Sequence, residues 1–286
     1  MTDTESLGGA GSGAVLPPPS GREGGPRGGR ALRTALSLLA HVYALGVLLL
    51  LWYLLAQSGV LGNKFVMPTP AMVWDAARVL IDEGTLQQEA WATLRRVLIA
   101  FGLALVVGAT IGILIGRIRT VRYLLRPLVQ FLFPTPKVAI YPAMLIIFGL
   151  GSASKIAFGF AEALFPILIA SAAAASQIDS RLLWSAEGLG LSRVATFPRV
   201  VLPAALPGIL TGARIGLVGA LIGVFLGELI AGSDGLGQMM AIAYRTLATA
   251  DMYVVIVTVS LIGFFLDRIF LFIRARLLAW SPEEGR

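Results

Sequence analysis

Asp179-Ser-Arg-Leu-Leu-Trp-Ser-Ala-Glu-Gly-Leu-Gly190-Leu-Ser-Arg-Val-Ala-Thr-Phe-Pro-Arg-Val-Val-Leu-Pro203 lies between two long apolar runs, 156–176 and 203–231. A link between two such runs is ordinarily a polar turn of a few residues. This one is patterned. Asp179 or Ser180 supplies an N-cap for a short helix, because a side-chain oxygen there accepts a backbone N–H that has no intrahelical partner. Gly188 or Gly190 supplies the left-handed residue that ends it. Ser192 caps a second short helix, and Pro198 inside that helix is expected to bend it. Leu182, Leu183, Ala186 and Leu189 recur at helical spacing and give the first helix an apolar face. The stretch reads as helix–glycine–helix with a face that requires either a partner or a membrane surface to rest on.

The flanking chain is built for lipid. Of 286 residues 57% are hydrophobic and 14% charged, with a mean hydropathy of +0.83; soluble domains carry about a quarter charged residues. A bilayer core needs roughly 20 apolar residues in a helix, and six segments qualify, about 36–57, 97–116, 127–150, 156–176, 203–231 and 252–273. Pro134, Pro136 and Pro142 interrupt the third. Pro203 opens the fifth, where a missing N–H costs nothing. The net charge of +7 does not point to nucleic acid, because the arginines sit at the ends of the apolar runs. With no cysteine there is no disulfide framework and no thiolate metal site.

Basic residues accumulate on the cytoplasmic side of membrane proteins. With the N-terminus inside, the inner side carries Arg22, Arg27, Arg30, Arg33, Arg117, Arg119, Arg122, Arg126, Arg181, Arg193, Arg199, Arg268, Arg274, Arg276 and Arg286. The outer side carries only Lys64, Arg78, Arg95, Arg96, Lys155 and Arg245. Both termini are therefore expected in the cytoplasm and the loop 58–94 outside, with Pro70 to Ala90 an amphipathic helix presenting Trp74, Val79, Leu80 and Leu86 at the membrane surface. The chain is expected to have four regions: a disordered tail 1–32, rich in glycine and proline; a first span with the external segment, 33–95; a core, 96–276, holding the loop 177–202; and a short tail, 277–286.

Gly190, followed after nine residues by Val200-Val-Leu-Pro203, resembles the coupling ("EAA") loop of ABC-importer permeases. The rest of the chain resembles the nitrate/sulfonate/taurine branch of that family over roughly 60–280. The matching stretches are Phe65-Val-Met-Pro-Thr-Pro70, Thr93-Leu-Arg-Arg-Val97, Gly108-x3-Gly112-x3-Gly116, Pro142 with Phe148-Gly-Leu-Gly-Ser-Ala-Ser-Lys155, Phe165-Pro166, Val200 through Pro207, Gly212-Ala-Arg214, Gly227-Glu228 and Gly235-Leu-Gly237. The resemblance implies an all-α polytopic protein with six transmembrane helices and the type I ABC importer permease fold, in the bacterial inner membrane. It implies a homodimer with two copies of a separate ATPase subunit and an extracytoplasmic solute-binding protein. The loop residues Leu182, Leu183, Trp184, Ser185, Ala186, Glu187, Gly190, Leu202 and Pro203 would dock on the ATPase. Trp184 stands where the motif has Glu, and Glu187 one turn on supplies the charge in part.

The chain offers no ATPase site of its own. None of its lysines, Lys64, Lys137 and Lys155, follows a glycine as a phosphate-binding loop requires, so ATP and magnesium belong to the partner and no cofactor is expected here. A secondary transporter, or a membrane subunit not used for import, is the alternative; the first needs an ion site at mid-membrane between repeated halves, and no repeat is visible. Candidates for the translocation path are Pro134, Thr135, Pro136 and Lys137 at the broken third span, Glu162 in the fourth, and Arg214 and Glu228 in the fifth. Ionisable residues in spans face protein or water rather than lipid, so each serves either the path or a bond to another helix. Arg214 and Glu228, roughly 21 Å apart along a helix, do not pair with each other. Gly208, Gly212, Gly216, Gly219, Gly223 and Gly227 fall within about 100° on the helical wheel, a stripe that allows close helix approach, either within the chain or to a second copy across the dimer axis. His41 reads as a packing residue. Solutes of the branch are nitrate, sulfonates and taurine, and Pro136-Lys137-Val138-Ala139 also resembles relatives that take pyrimidine precursors and small aromatics.

Overall fold

In the computed structural model the described residues are 43, 46–47, 50–58 and 66–280. The tail 1–32, His41, Lys64, Phe65, half of the first expected span and 281–286 lie outside them. The chain divides into two units, 1–52 and 53–286. In the first, the described residues 43, 46–47 and 50–52 are helical. The second unit contains all the other described residues.

Every regular element among the described residues of the second unit is helical. Thr69 caps α1 (Pro70–Asp82), its hydroxyl accepting the Met72 N–H, with Pro70 at the first position. Gly84, at φ +76°, separates α1 from α2 (Thr85–Arg117). The amphipathic segment thus ends at Asp82, with Trp74 and Val79 exposed and Leu86 already buried in α2. Helix α2 starts well before the expected 97 and runs unbroken through the boundary expected at 95/96. Its end is tied by Arg122, whose guanidinium donates to the Ile115 carbonyl (3.0 Å) and the Gly116 carbonyl.

The expected third span is two helices, α3 (Arg119–Leu132) and α4 (Lys137–Phe148), bent by 101° at the Pro134–Pro136 break. Pro142 does not add a second break. It lies inside α4, where it forgoes one hydrogen bond while the chain on either side stays helical. Next come α5 (Ser152–Ser176), α6 (Ser180–Gly188), α7 (Arg193–Thr196), a π-wound turn at Phe197–Val201, α8 (Leu202–Ala231), α9 (Leu236–Arg245) and α10 (Thr249–Leu277). Among the described residues four helical stretches are long and apolar enough to cross a membrane, or five if the bent pair counts as one span; of the remaining expected span, 36–57, only residues 43, 46–47 and 50–57 are among the described residues.

Helix α5 is the spine, packed between α2 and α8. The packing surfaces are small residues. Gly108, Gly112 and Gly116 of α2 lie against the backbone of α5 at Leu164, Leu168 and Ala172. The glycine stripe of α8 lies against a second flank of α5, Gly212 on Pro166 and Ala170, Gly219 on Glu162, Gly223 on Gly159, while Gly227 also meets Tyr141 of α4. A Cβ at Gly112 would come 2.5 Å from the Leu168 carbonyl oxygen, and one at Gly223 would come 2.8 Å from the Gly159 Cα. Helix association in lipid rests on such close contact rather than on expelling water. The core between them is Val97, Ala100 and Ala104 with Ala163 and Ile167, and Ala213, Leu217, Ala220 and Val224.

Candidate functional site

The loop 177–202 forms the helix–glycine–helix element its sequence describes. Asp179 is the cap, accepting from the Arg181 N–H (2.9 Å), and Ser192 caps the second helix, accepting from Ala195 (3.3 Å). The turn is at Gly190 rather than Gly188. Its φ is +76°, its N–H donates to Glu187, and Leu191 N–H donates back to Ala186. That pair of bonds closes the end of a helix around a left-handed glycine. Pro198 has no N–H to give, and the chain around it widens into the π turn, with Leu202 N–H reaching back to Phe197.

The apolar face is split. Ala186 is buried and Leu183 half-buried against Ile113, Ala175 and Val201, so these two fasten the element to the bundle. Leu182, Trp184 (69% exposed), Leu189 and Val194 point away from it, alongside exposed Ser185 and Glu187. Exposed Leu202 and half-buried Pro203 begin α8. A cavity of about 700 Å³ lies beneath, lined by Ile113, Arg117, Leu183, Glu187 and Phe197.

At the opposite end of the bundle the structure gathers residues from four separate stretches of the chain. Arg96, 1% exposed, donates from Nη1 to Glu228 Oε1 (2.6 Å) and to the Asp234 carbonyl (3.2 Å), from Nη2 to Asp234 Oδ2 (2.5 Å), and from Nε to Ser152 Oγ (3.0 Å). Thr93 Oγ1 donates to Glu228 Oε2 (2.7 Å), which also accepts from Gly237 N–H (3.1 Å); Leu236 N–H donates to Thr93 Oγ1 (2.9 Å). Gly235, at φ +98°, is pressed against the Glu228 carboxyl. Lys155 is buried and donates to the Leu150 carbonyl. Tyr141 stacks on Phe158 at 4.8 Å and donates to the Gly227 carbonyl (2.9 Å). The charge pattern of the sequence places Arg95 and Arg96 on the outer side, just past the loop 58–94; Arg96 is buried inside the bundle. It bonds to Glu228, which has no solvent exposure.

Arg214 is also paired across helices, its Nε and Nη2 donating to Asp267 Oδ1 (2.7 Å) and Oδ2 (3.0 Å) of α10. Lys137 and Glu162, expected separately, are brought together. Their N–O distance is 3.6 Å, and the ammonium lies 5.8 Å from the Phe133 ring and 5.5 Å from the Phe165 ring. Thr135 sits in the break, its hydroxyl donating to Phe131 (3.0 Å). A cavity of about 420 Å³ opens beside Phe133, lined by Arg122, Arg126, Gln130, Leu168 and Ser176. Sequence reading missed Arg96, Asp234, Asp267 and this cavity. Thr93 and Arg96, three apart and in phase with Val97, Ala100 and Ala104, carried a readable signal for the first of these.

Comparison with known proteins bears on this geometry. The family model described as binding-protein-dependent transport system inner membrane component matches residues 108–279. A probable ABC transporter permease of Brucella abortus is 34% identical over 248 residues, 87% of this chain and 96% of the relative. The taurine transport system permease TauC of Escherichia coli is 32% identical over 84% of this chain and 88% of its own. The nitrate import permease NrtB of Synechocystis is 30% identical over 85% and 89%. Among solved structures, the MetNI methionine ABC transporter in an inward-facing conformation superposes with a TM-score of 0.53 at 22% identity, over 65% of this chain and 94% of that one, a likeness of fold.

Proposed function

The chain belongs to the family of binding-protein-dependent transport system inner membrane components, and from that premise we propose how it works and with whom. It is the multi-pass permease subunit of an ABC importer. Its ATP-hydrolysing partner is a separate subunit present in two copies, and an extracytoplasmic binding protein delivers the solute. A second copy of the chain completes the pathway, and both termini face the cytoplasm.

The observation that carries the reading is the α6–Gly190–α7 element. It projects Leu182, Trp184, Leu189 and Val194 from the end of the bundle while Leu183 and Ala186 hold it down. An exposed apolar cluster on a short capped helix suits a groove on a partner. The π turn passes its movement directly into α8, which packs on the spine helix. We assign the path to Pro134, Thr135, Pro136, Lys137 and Glu162, and a bundle-holding role to Arg214 and Glu228, whose bonds are satisfied within the chain. The solute is small: a sulfonate, taurine or nitrate-like compound as in the relatives, or a small aromatic or pyrimidine-type compound.

Gly190→Val places a β-branched side chain at positive φ, and Leu182→Asp puts a charge in the apolar cluster. Each is expected to reduce binding-protein-stimulated ATP hydrolysis in proteoliposomes at least about tenfold while the chain still inserts. Unchanged stimulation in both variants would overturn the docking assignment.

A further inference from the structure

Among the described residues the bundle holds three ion pairs between membrane helices, and they are not alike. Arg96–Glu228 is sealed, with both groups hydrogen-bonded on several sides. Arg214–Asp267 is a two-point guanidinium–carboxylate fork. Lys137–Glu162 is open. Its 3.6 Å separation is beyond hydrogen-bond length, and the side chains are 14% and 26% exposed. Neither side chain makes a hydrogen bond to any other described residue.

The pair lies midway along the spine helix. Glu162 is in the central turns of α5, and its backbone is fixed against Gly219 of α8. Lys137 is the first residue after the 101° break, between two aromatic rings that hold the ammonium by cation–π attraction. Ionisable groups at this depth with unsatisfied valences face water rather than lipid. An ion pair serving only to hold helices together would close to a hydrogen bond, as the other two do.

We propose that Lys137 and Glu162 form the charge-selecting pair of the transmembrane path, favouring small dipolar solutes with one anionic and one cationic group over simple anions. The proposal rests on the reading of the chain as an importer permease. A simple anion must draw Lys137 from Glu162 and leave the carboxylate uncompensated at membrane depth, which is costly. A dipolar solute replaces both partners at once, its anionic end on Lys137 between the rings and its cationic end on Glu162. Because the resting pair is loose, little is lost when it opens.

The test uses the absence of native cysteine. Thr135→Cys, in the transporter assembled with its ATPase, is modified by uncharged methyl methanethiosulfonate in the presence of either 2-aminoethanesulfonate or ethanesulfonate, the same anion without the ammonium. The dipolar compound is expected to slow modification at least about threefold more than the anion, the factor a partly exposed ion pair confers. In Glu162→Gln the preference should reverse, and in Glu162→Asp it should persist. Equal slowing by the two compounds with the native pair, or no slowing by either in the nucleotide-free and ATP-trapped states, would overturn the selection. Stimulated ATP hydrolysis in the same preparation separates the two readings. If it is intact while the preference is absent, the charge filter alone falls; if it is absent with the native pair, the permease reading falls.

Discussion

An arginine taken into a packed bundle brings five N–H donors that need partners. Arg96 finds them on Glu228, Asp234 and Ser152, and Glu228 in turn is closed off by Thr93 and Gly237. Breaking a buried pair by removing one partner leaves the other charge stranded and costs about 3–5 kcal/mol. Arg96→Ala is therefore expected to lower the thermal unfolding midpoint of the detergent-solubilised protein by several degrees. Asp234→Asn, at a carboxylate 42% exposed, should lower it much less. Equal effects would mean the network is not organised around the buried carboxylate. At this scale sequence reading is weakest. It flags Glu228 and Arg214 as ionisable groups inside spans, but their partners lie on helices far along the chain, and Arg96 falls just before the apolar run 97–116. Lys137 and Glu162 are each visible as intramembrane charges; that they meet depends on the angle at the proline break, which no periodicity encodes.

Helices pack in lipid by approach distance, and the two glycine ribbons set that distance for α5. The stripe on α8 is legible to the residue, because six glycines in one phase of a helix have a physical cost that packing must offset. Its partner is not legible: spacing says that a backbone approaches, not whose. The backbone is that of α5 in the same chain, and a surface so occupied is expected not to serve as the contact between copies. Cysteines at Gly216 and Gly223 should therefore fail to cross-link between protomers, whereas a cross-link would return the stripe to the dimer axis. Gly212→Leu, whose Cβ would meet Ala170 and the Pro166 carbonyl at 2.5 and 2.9 Å, should destabilise the fold by about 1–3 kcal/mol, read as a lower unfolding midpoint. The loop element is the most legible part of the chain. Its caps, its glycine and the irregular winding at Pro198, a π turn rather than a bend, are local chemistry, and only the division of its apolar residues into an inner and an outer set needs the bundle.

For the whole molecule, hydropathy alone gives a multi-pass helical protein, since only lipid accommodates this much apolar length. The patterned loop, with the stretches around it, adds a resemblance to the family, and the family model matches over residues 108–279. What hydropathy cannot give is the direction of energy flow. A secondary transporter moves its solute down a coupled ion gradient; an importer permease is the moving part of an ATP-driven machine whose engine is on another subunit. The direct measurement is ATP hydrolysis and solute entry in sealed vesicles carrying this chain and its partner ATPase, with the loaded binding protein supplied on the extracytoplasmic side. Hydrolysis is expected to rise when the loaded binding protein is added, uptake to need ATP on the other face, and both to be lost when Gly190 is replaced by valine. Uptake that proceeds without ATP and collapses with an ion gradient would contradict the assignment.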